Sequence, residues 1–192
     1  MNICVFGASS ALIDPAYFAA AEELGSLLAQ NGHRLIFGGG RDGLMGACAR
    51  GVLKQGGQPL GVAPRFFDEP GVLMTEECAF IFTDTMSERK RIMEDNADAF
   101  IALPGGIGTY EEFFETLTLK QLGRHSKPMA LLNTLGYFDP FHTLLQFTAA
   151  SRFMSADVLS LYALCDSPAQ ALLHVETPSA PAAPRDISRY NR

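Results

Sequence analysis

Chemistry concentrates where three glycines, Gly105, Gly106 and Gly108, stand between an apolar run and a pair of acids, Glu111 and Glu112. Glycines let backbone N–H groups come close to a ligand, and a helix opening at Thr109 would aim its unpaired N–H groups and positive dipole end at the same spot. That combination is an anion cradle, and phosphate suits it best. No Gly-Lys-Ser/Thr follows, so this is not a Walker loop, and the glycine spacing differs from the dinucleotide fingerprint. Glu112 has two readings. Thr109-x-x-Glu112 fits a capping box, with Glu112 reaching back to the Thr109 N–H. A carboxylate at the mouth of a phosphate cradle could equally orient water or stabilise a developing cation.

A second concentration of charge, Glu88-Arg89-Lys90-Arg91, leads into a helix that should run to about Ala97. Such runs ordinarily mark a solvated face. A projection at ~100° per residue alters this, because Met86, Met93 and Ala97 form one apolar stripe with Arg89 and Lys90 flanking it at roughly 60° and 40°. Arg91 points outward. Basic heads directed at the protein body need an anionic partner, either a protein carboxylate or a ligand phosphate.

The surrounding elements explain how these groups could meet. Residues 99–103 form a short continuous apolar run, as expected of a central parallel strand covered on both faces, and Pro104 ends its ladder. Further strands are expected over 2–6, 34–37, 59–64, 78–82, 128–133 and 162–165. Asp14-Pro15 and Asp139-Pro140 each read as a cap followed by a proline at the first helical position. Strands alternating with helices imply an α/β fold, a single-domain Rossmann-like doubly wound parallel sheet with helices on both faces. Ligands in such sheets bind at the carboxyl ends of the strands near the switch point. The loops at 7–10, 38–46 and 105–109 all follow strands, so one nucleotide-sized site is expected where they converge, with Ser9, Gly39 and Gly40 among its residues.

The 192 residues, 47% of them hydrophobic, suffice for one domain with a full core, expected over 1–176. The proline- and alanine-rich stretch from Thr177 leaves 177–192 as an expected disordered tail. A net charge of −6 argues against nucleic acid or a membrane surface as partner. Strand-like sequence begins at Asn2 with no charged leader before it, and no apolar run reaches membrane-spanning length, so a cytoplasmic location is expected. Cys4, Cys48, Cys78 and Cys165 are widely spaced and read as reduced thiols. The four histidines are likewise scattered, and no metal is expected.

Taken together, the motifs resemble the LOG-type cytokinin riboside 5′-monophosphate phosphoribohydrolases, a family often labelled lysine decarboxylases. The stretches that carry the likeness are Gly38-Gly-Gly-x-x-Gly-Leu-Met-Gly46, Gly61-Val-x-Pro64, Glu88-Arg-Lys90, Pro104-Gly-Gly-x-Gly-Thr-x-x-Glu112, Gln121-Leu-Gly-x-His-x-Lys-Pro128 and Leu131-Leu-Asn133. They follow the family's order and cover residues 2–165. The glycine stretch alone is shared with molybdenum cofactor carrier proteins, which leaves a non-catalytic carrier of a nucleotide-like group as the alternative. The resemblance implies hydrolysis of the N-glycosidic bond of an adenine-type nucleoside 5′-monophosphate, either AMP or an N6-prenylated one, to free base and ribose 5-phosphate. It implies Arg89 and Glu112 as the catalytic pair, with Arg89 either holding phosphate or assisting the departing base. It implies nucleotide binding by Lys90, Gly105, Gly106, Ile107, Gly108, Thr109, Tyr110 and Glu111, no cofactor, and at least a homodimer. Three departures bear on base selectivity: Ser87 where the family commonly has His, Gly7-Ala-Ser-Ser10 for Cys-Gly-Ser-Ser, and Phe66 where plant-type members carry Glu. The decarboxylase label fits the chemistry poorly. A pyridoxal Schiff base needs a lysine in a supporting context, and Lys54, Lys90, Lys120 and Lys127 have none.

Overall fold

The alternating strand-forming and helix-forming stretches assemble, in the computed structural model, into one parallel sheet covered on both faces, and the structure describes residues 1–177. The expected tail lies outside the described residues except for Thr177. β1 (Asn2–Phe6) leads to α1 (Pro15–Gln30), where the Asp14 carboxylate accepts the Ala16 N–H at 2.8 Å, the expected cap. β2 (Arg34–Phe37) and α2 (Gly43–Lys54) follow. β3 (Leu60–Pro64) runs into a short 3-10 turn and a loop before β4 (Ala79–Thr83) and α3 (Met86–Asn96). The second half contains β5 (Ala99–Ala102), α4 (Ile107–Gln121), β6 (Met129–Leu132) and α5 (Asp139–Ala150), then β7 (Ala163–Cys165) and α6 (Pro168–Glu176).

The strand order is β4-β3-β2-β1-β5-β6-β7, every pair parallel. The chain builds outward from β1 to β4, then crosses back to lay β5 against the other side of β1. The switch point of this doubly wound, Rossmann-like sheet therefore lies between β1 and β5. Side chains alternate across the strands as the pleat requires. Ile3 and Val5 join a core with α1, α2 and α6, while Cys4 and Phe6 join a second core with α3, α4 and α5.

Two helix starts differ from expectation. α4 begins at Ile107, because Gly106 rather than Thr109 takes the extended cap conformation, with φ −85° and ψ −156°. α5 already contains Asp139, so the cap position falls to Phe138, with no side chain capping the helix, and the turn before it is tied by Asn133. Its side-chain oxygen accepts the Phe138 N–H at 2.7 Å, while its amide donates to the Asp139 carboxylate at 2.8 Å. All four cysteines are free. Among the described residues no helix is long and apolar enough to cross a membrane, and no group of three or more His, Cys, Asp or Glu could hold a metal.

Candidate active site

The loops that leave β1, β2 and β5 at their carboxyl ends enclose a cavity of about 400 Å³. Gly7, Ala8 and Ser9 line it from the first loop, Gly38 and Gly40 from the second, and Gly106, Ile107, Gly108 and Thr109 from the start of α4. These are the three stretches whose convergence the sequence implied. No side chain caps α4, so its first N–H groups are unpaired by the helix and sit at the cavity.

One wall of the cavity carries a buried ion pair. The Thr85 hydroxyl accepts the Glu88 N–H at 3.1 Å and starts α3, which places Arg89 one residue later on the inward face. Arg89 is only 6% exposed, and its Nε donates to the Val62 carbonyl at 3.0 Å. Its Nη1 donates to Glu112 Oε1 at 2.6 Å, and Glu112 is itself 9% exposed. The other terminal nitrogen packs so closely on Gly38 that a β-carbon there would collide with it. Gly38 is thus one wall of the slot that holds the guanidinium. Burial pushes the Glu112 carboxyl above its usual range, while the charge and hydrogen bond of Arg89 oppose that rise. A carboxylate so held can serve as a base or as electrostatic support without a solvent shell.

The capping-box expectation fails. Glu112 lies about a turn and a half inside α4 and is engaged by Arg89, too far along the helix to reach its cap. The expected inward aim of Arg89 and Lys90 holds, and both partners are protein carboxylates. Lys90 lies outside the cavity lining, its amine paired with Glu111 and, at 2.6 Å, with Glu115. Glu111 is therefore also turned from the cavity. Tyr110 packs flat against Phe141 on the opposite side of α4 from the cavity, its hydroxyl donating to the Tyr137 hydroxyl. Gly39 faces the Phe80 ring and gives its carbonyl to the Met74 N–H, and Gly105 sits behind the lining against Thr109. The structure thus gathers Arg89, Glu112, Ser9, Gly40, Gly106, Ile107, Gly108 and Thr109, and leaves Lys90, Gly39, Gly105, Tyr110 and Glu111 outside.

Sequence reasoning missed the apolar rim made by Met45, Phe67, Val72, Leu73 and Met86. An aromatic pair directly after a strand end was the available signal for Phe67. Nothing local marked Leu73, which arrives through an isolated antiparallel bridge to Gly40.

A family model described as "Possible lysine decarboxylase" matches residues 45–175. The chain is 43% identical over 156 residues to a probable cytokinin riboside 5′-monophosphate phosphoribohydrolase of Oryza sativa, covering 81% of this chain and 70% of the relative. It is 37% identical over 163 residues to the cytokinin riboside 5′-monophosphate phosphoribohydrolase of Rhodococcoides fascians, covering 84% and 82%. Among solved structures, the molybdenum cofactor carrier protein of Chlamydomonas reinhardtii superposes with a TM-score of 0.70 at 24% identity, covering 91% of this chain and 95% of the other, a likeness of fold alone. The sequence matches extend over most of the chain, from the sheet's first half through the α4 cradle to the last helix, and on that extent the chain belongs to the LOG family of cytokinin riboside 5′-monophosphate phosphoribohydrolases.

Proposed function

We propose that this protein hydrolyses the N-glycosidic bond of an adenine-type nucleoside 5′-monophosphate, adding water across the bond to release free base and ribose 5-phosphate. The observation that carries the proposal is the buried Arg89–Glu112 pair, at 2.6 Å, on the wall of a cavity that also contains the uncapped start of α4. The 5′-phosphate is assigned to the N–H groups of residues 106–109, where helix dipole and unpaired donors favour an anion. Glu112 then faces the ribosyl carbon, where it supports the positive charge that develops as the base departs and accepts a proton from the attacking water. Arg89 is assigned to Glu112 rather than to the phosphate or the base, since two of its three nitrogens are already engaged by Glu112 and the Val62 carbonyl. The base lies against the apolar rim. Relatives named for cytokinin riboside 5′-monophosphates support the substrate class.

The same proposal includes AMP as a substrate, residues 1–176 as one domain, a cytoplasmic location and at least a homodimer. Incubation with AMP and with isopentenyladenosine monophosphate is expected to release adenine or isopentenyladenine with an equal amount of ribose 5-phosphate. Nucleotide binding without release of base from either would replace the hydrolase by a carrier.

A further inference from the structure

In the loop that carries the anion cradle, the carbonyls of Pro104 and Gly105 are each held by a hydrogen bond from another segment of the chain. The Pro104 carbonyl accepts the Ala8 N–H at 3.0 Å, and the Gly105 carbonyl accepts the Tyr137 hydroxyl at 2.7 Å. The peptide joining Gly105 to Gly106 is trans, so its C=O and N–H lie in one plane and point in opposite directions. Gly106 lines the cavity whereas Gly105 and Tyr137 do not. A carbonyl tied back to Tyr137 therefore turns the Gly106 N–H toward the anion position, and releasing it would let that peptide rotate.

The route by which Tyr137 reaches this carbonyl is itself unusual. It follows a turn in which Leu135 has φ 54° and Gly136 has φ 72°, and a left-handed backbone is costly for leucine. Leu135 is largely exposed, so no packing of its own side chain demands that conformation. The turn is instead held by Asn133, whose carbonyl accepts the Gly136 N–H at 3.0 Å and whose side chain takes the Phe138 N–H. Rings of Tyr17 and Phe138 stand edge-on to Tyr137, and the Tyr110 hydroxyl donates to its oxygen at 3.3 Å. Strain retained by so many contacts marks a placement that matters.

We propose that Tyr137 is a positioning residue of the anion cradle, its hydroxyl fixing the Gly105–Gly106 peptide so that the Gly106 N–H meets the 5′-phosphate. The role rests on the phosphate assignment made above. Affinities of wild type and Tyr137→Phe for AMP and for adenosine, measured by calorimetry, test it. The variant is expected to bind AMP about tenfold more weakly, the equivalent of one charge-assisted hydrogen bond, and adenosine within about twofold of wild type. In turnover the same change should appear in KM for AMP with kcat held within about threefold. Tyr162→Phe, which deletes a hydroxyl bonded at 2.8 Å to His142 well away from the cradle, should leave both affinities unchanged. Equal weakening for AMP and adenosine, or undiminished AMP affinity, would overturn the role of Tyr137. A wild type that binds AMP no better than adenosine would remove the cradle itself and the proposal with it. A wild type that prefers AMP yet releases no base would sink the hydrolase proposal alone, and the tenfold loss in Tyr137→Phe would still support the cradle.

Discussion

At the scale of the residue, the decisive fact is that Arg89 and Glu112 are buried together and, among the described residues, each is the other's only counter-charge within reach of a hydrogen bond. Taking two charges out of water is tolerated when they pair, but removing one partner leaves the other stranded. Glu112→Gln keeps an oxygen that can accept from Arg89 Nη1 but removes the negative charge. It should cost about 2 kcal/mol of stability, more than an exposed helix position would. Turnover should fall at least about a hundredfold, measured well below the melting temperature so that the two effects separate. Arg89→Ala should lose turnover too, and it removes the interaction that opposes the raised proton affinity of Glu112. Any residual activity should therefore have its acidic limb displaced to higher pH. Arg91, on the exposed face of α3, supplies the comparison: Arg91→Ala should leave rate and pH profile nearly unchanged.

At the scale of the element, a strand running into glycines and then a helix serves two physical purposes that substitution can separate. Gly43, the first residue of α2, has φ 66°, and a β-carbon on it would strike the Ala8 carbonyl, which accepts the Leu44 N–H at 2.8 Å. It is a glycine for packing between the loops. Gly43→Ala should lower the melting temperature by the equivalent of at least about 2 kcal/mol. A β-carbon on Gly106 would meet nothing within 4 Å, and its φ of −85° is open to any residue. The space beside it is the cavity. Gly106→Ala should therefore fold with an unchanged melting temperature while AMP affinity drops about tenfold, and a large loss of stability would show that this glycine serves the fold instead.

At the scale of the molecule, the two helices that bring Arg89 and Glu112 together also border a second, smaller charged region. A gap lined by Phe6, Lys90, Glu94, Glu112 and Glu115 lies where α3 and α4 pack over β1. Burial pushes the Glu94 carboxyl up to about 7, and the charges of Glu115 and Asp95 add to this while Lys90 and Lys127 oppose it. A carboxyl whose folded pKa lies above its unfolded value of about 4.3 holds an extra proton in the folded state between those two values. Its stabilising contribution is therefore complete below the unfolded value and is lost as pH rises through about 7. The melting temperature of the wild type should fall between pH 5 and pH 8, and in Glu94→Gln that fall should be smaller. An identical pH dependence in both proteins would mean that Glu94 ionises as an exposed acid does.

Features encoded by short-range physics were legible in the residues alone. Apolar runs such as 99–103 specify buried strands, Asp14-Pro15 specifies a helix start, and glycines after three strands specify where backbone can approach a ligand. The inward phase of Arg89 was legible for the same reason, since helical periodicity is a local property. Which anion Arg89 meets was not, because Glu112 is 23 residues away and reaches it only through the pairing of β1 with β5 and the packing of α3 and α4 over one face. The capping-box reading of Glu112 failed on a similar point: Gly106, freed of a side chain and held by its loop, started the helix earlier than Thr109 would have. The link between Tyr137 and the Gly105 carbonyl spans 32 residues and depends on β5 and β6 being neighbours, so no local pattern in the chain could announce it. Local propensities choose the elements and their faces, whereas the strand order, a cooperative property of the whole chain, chooses which loops share a cavity.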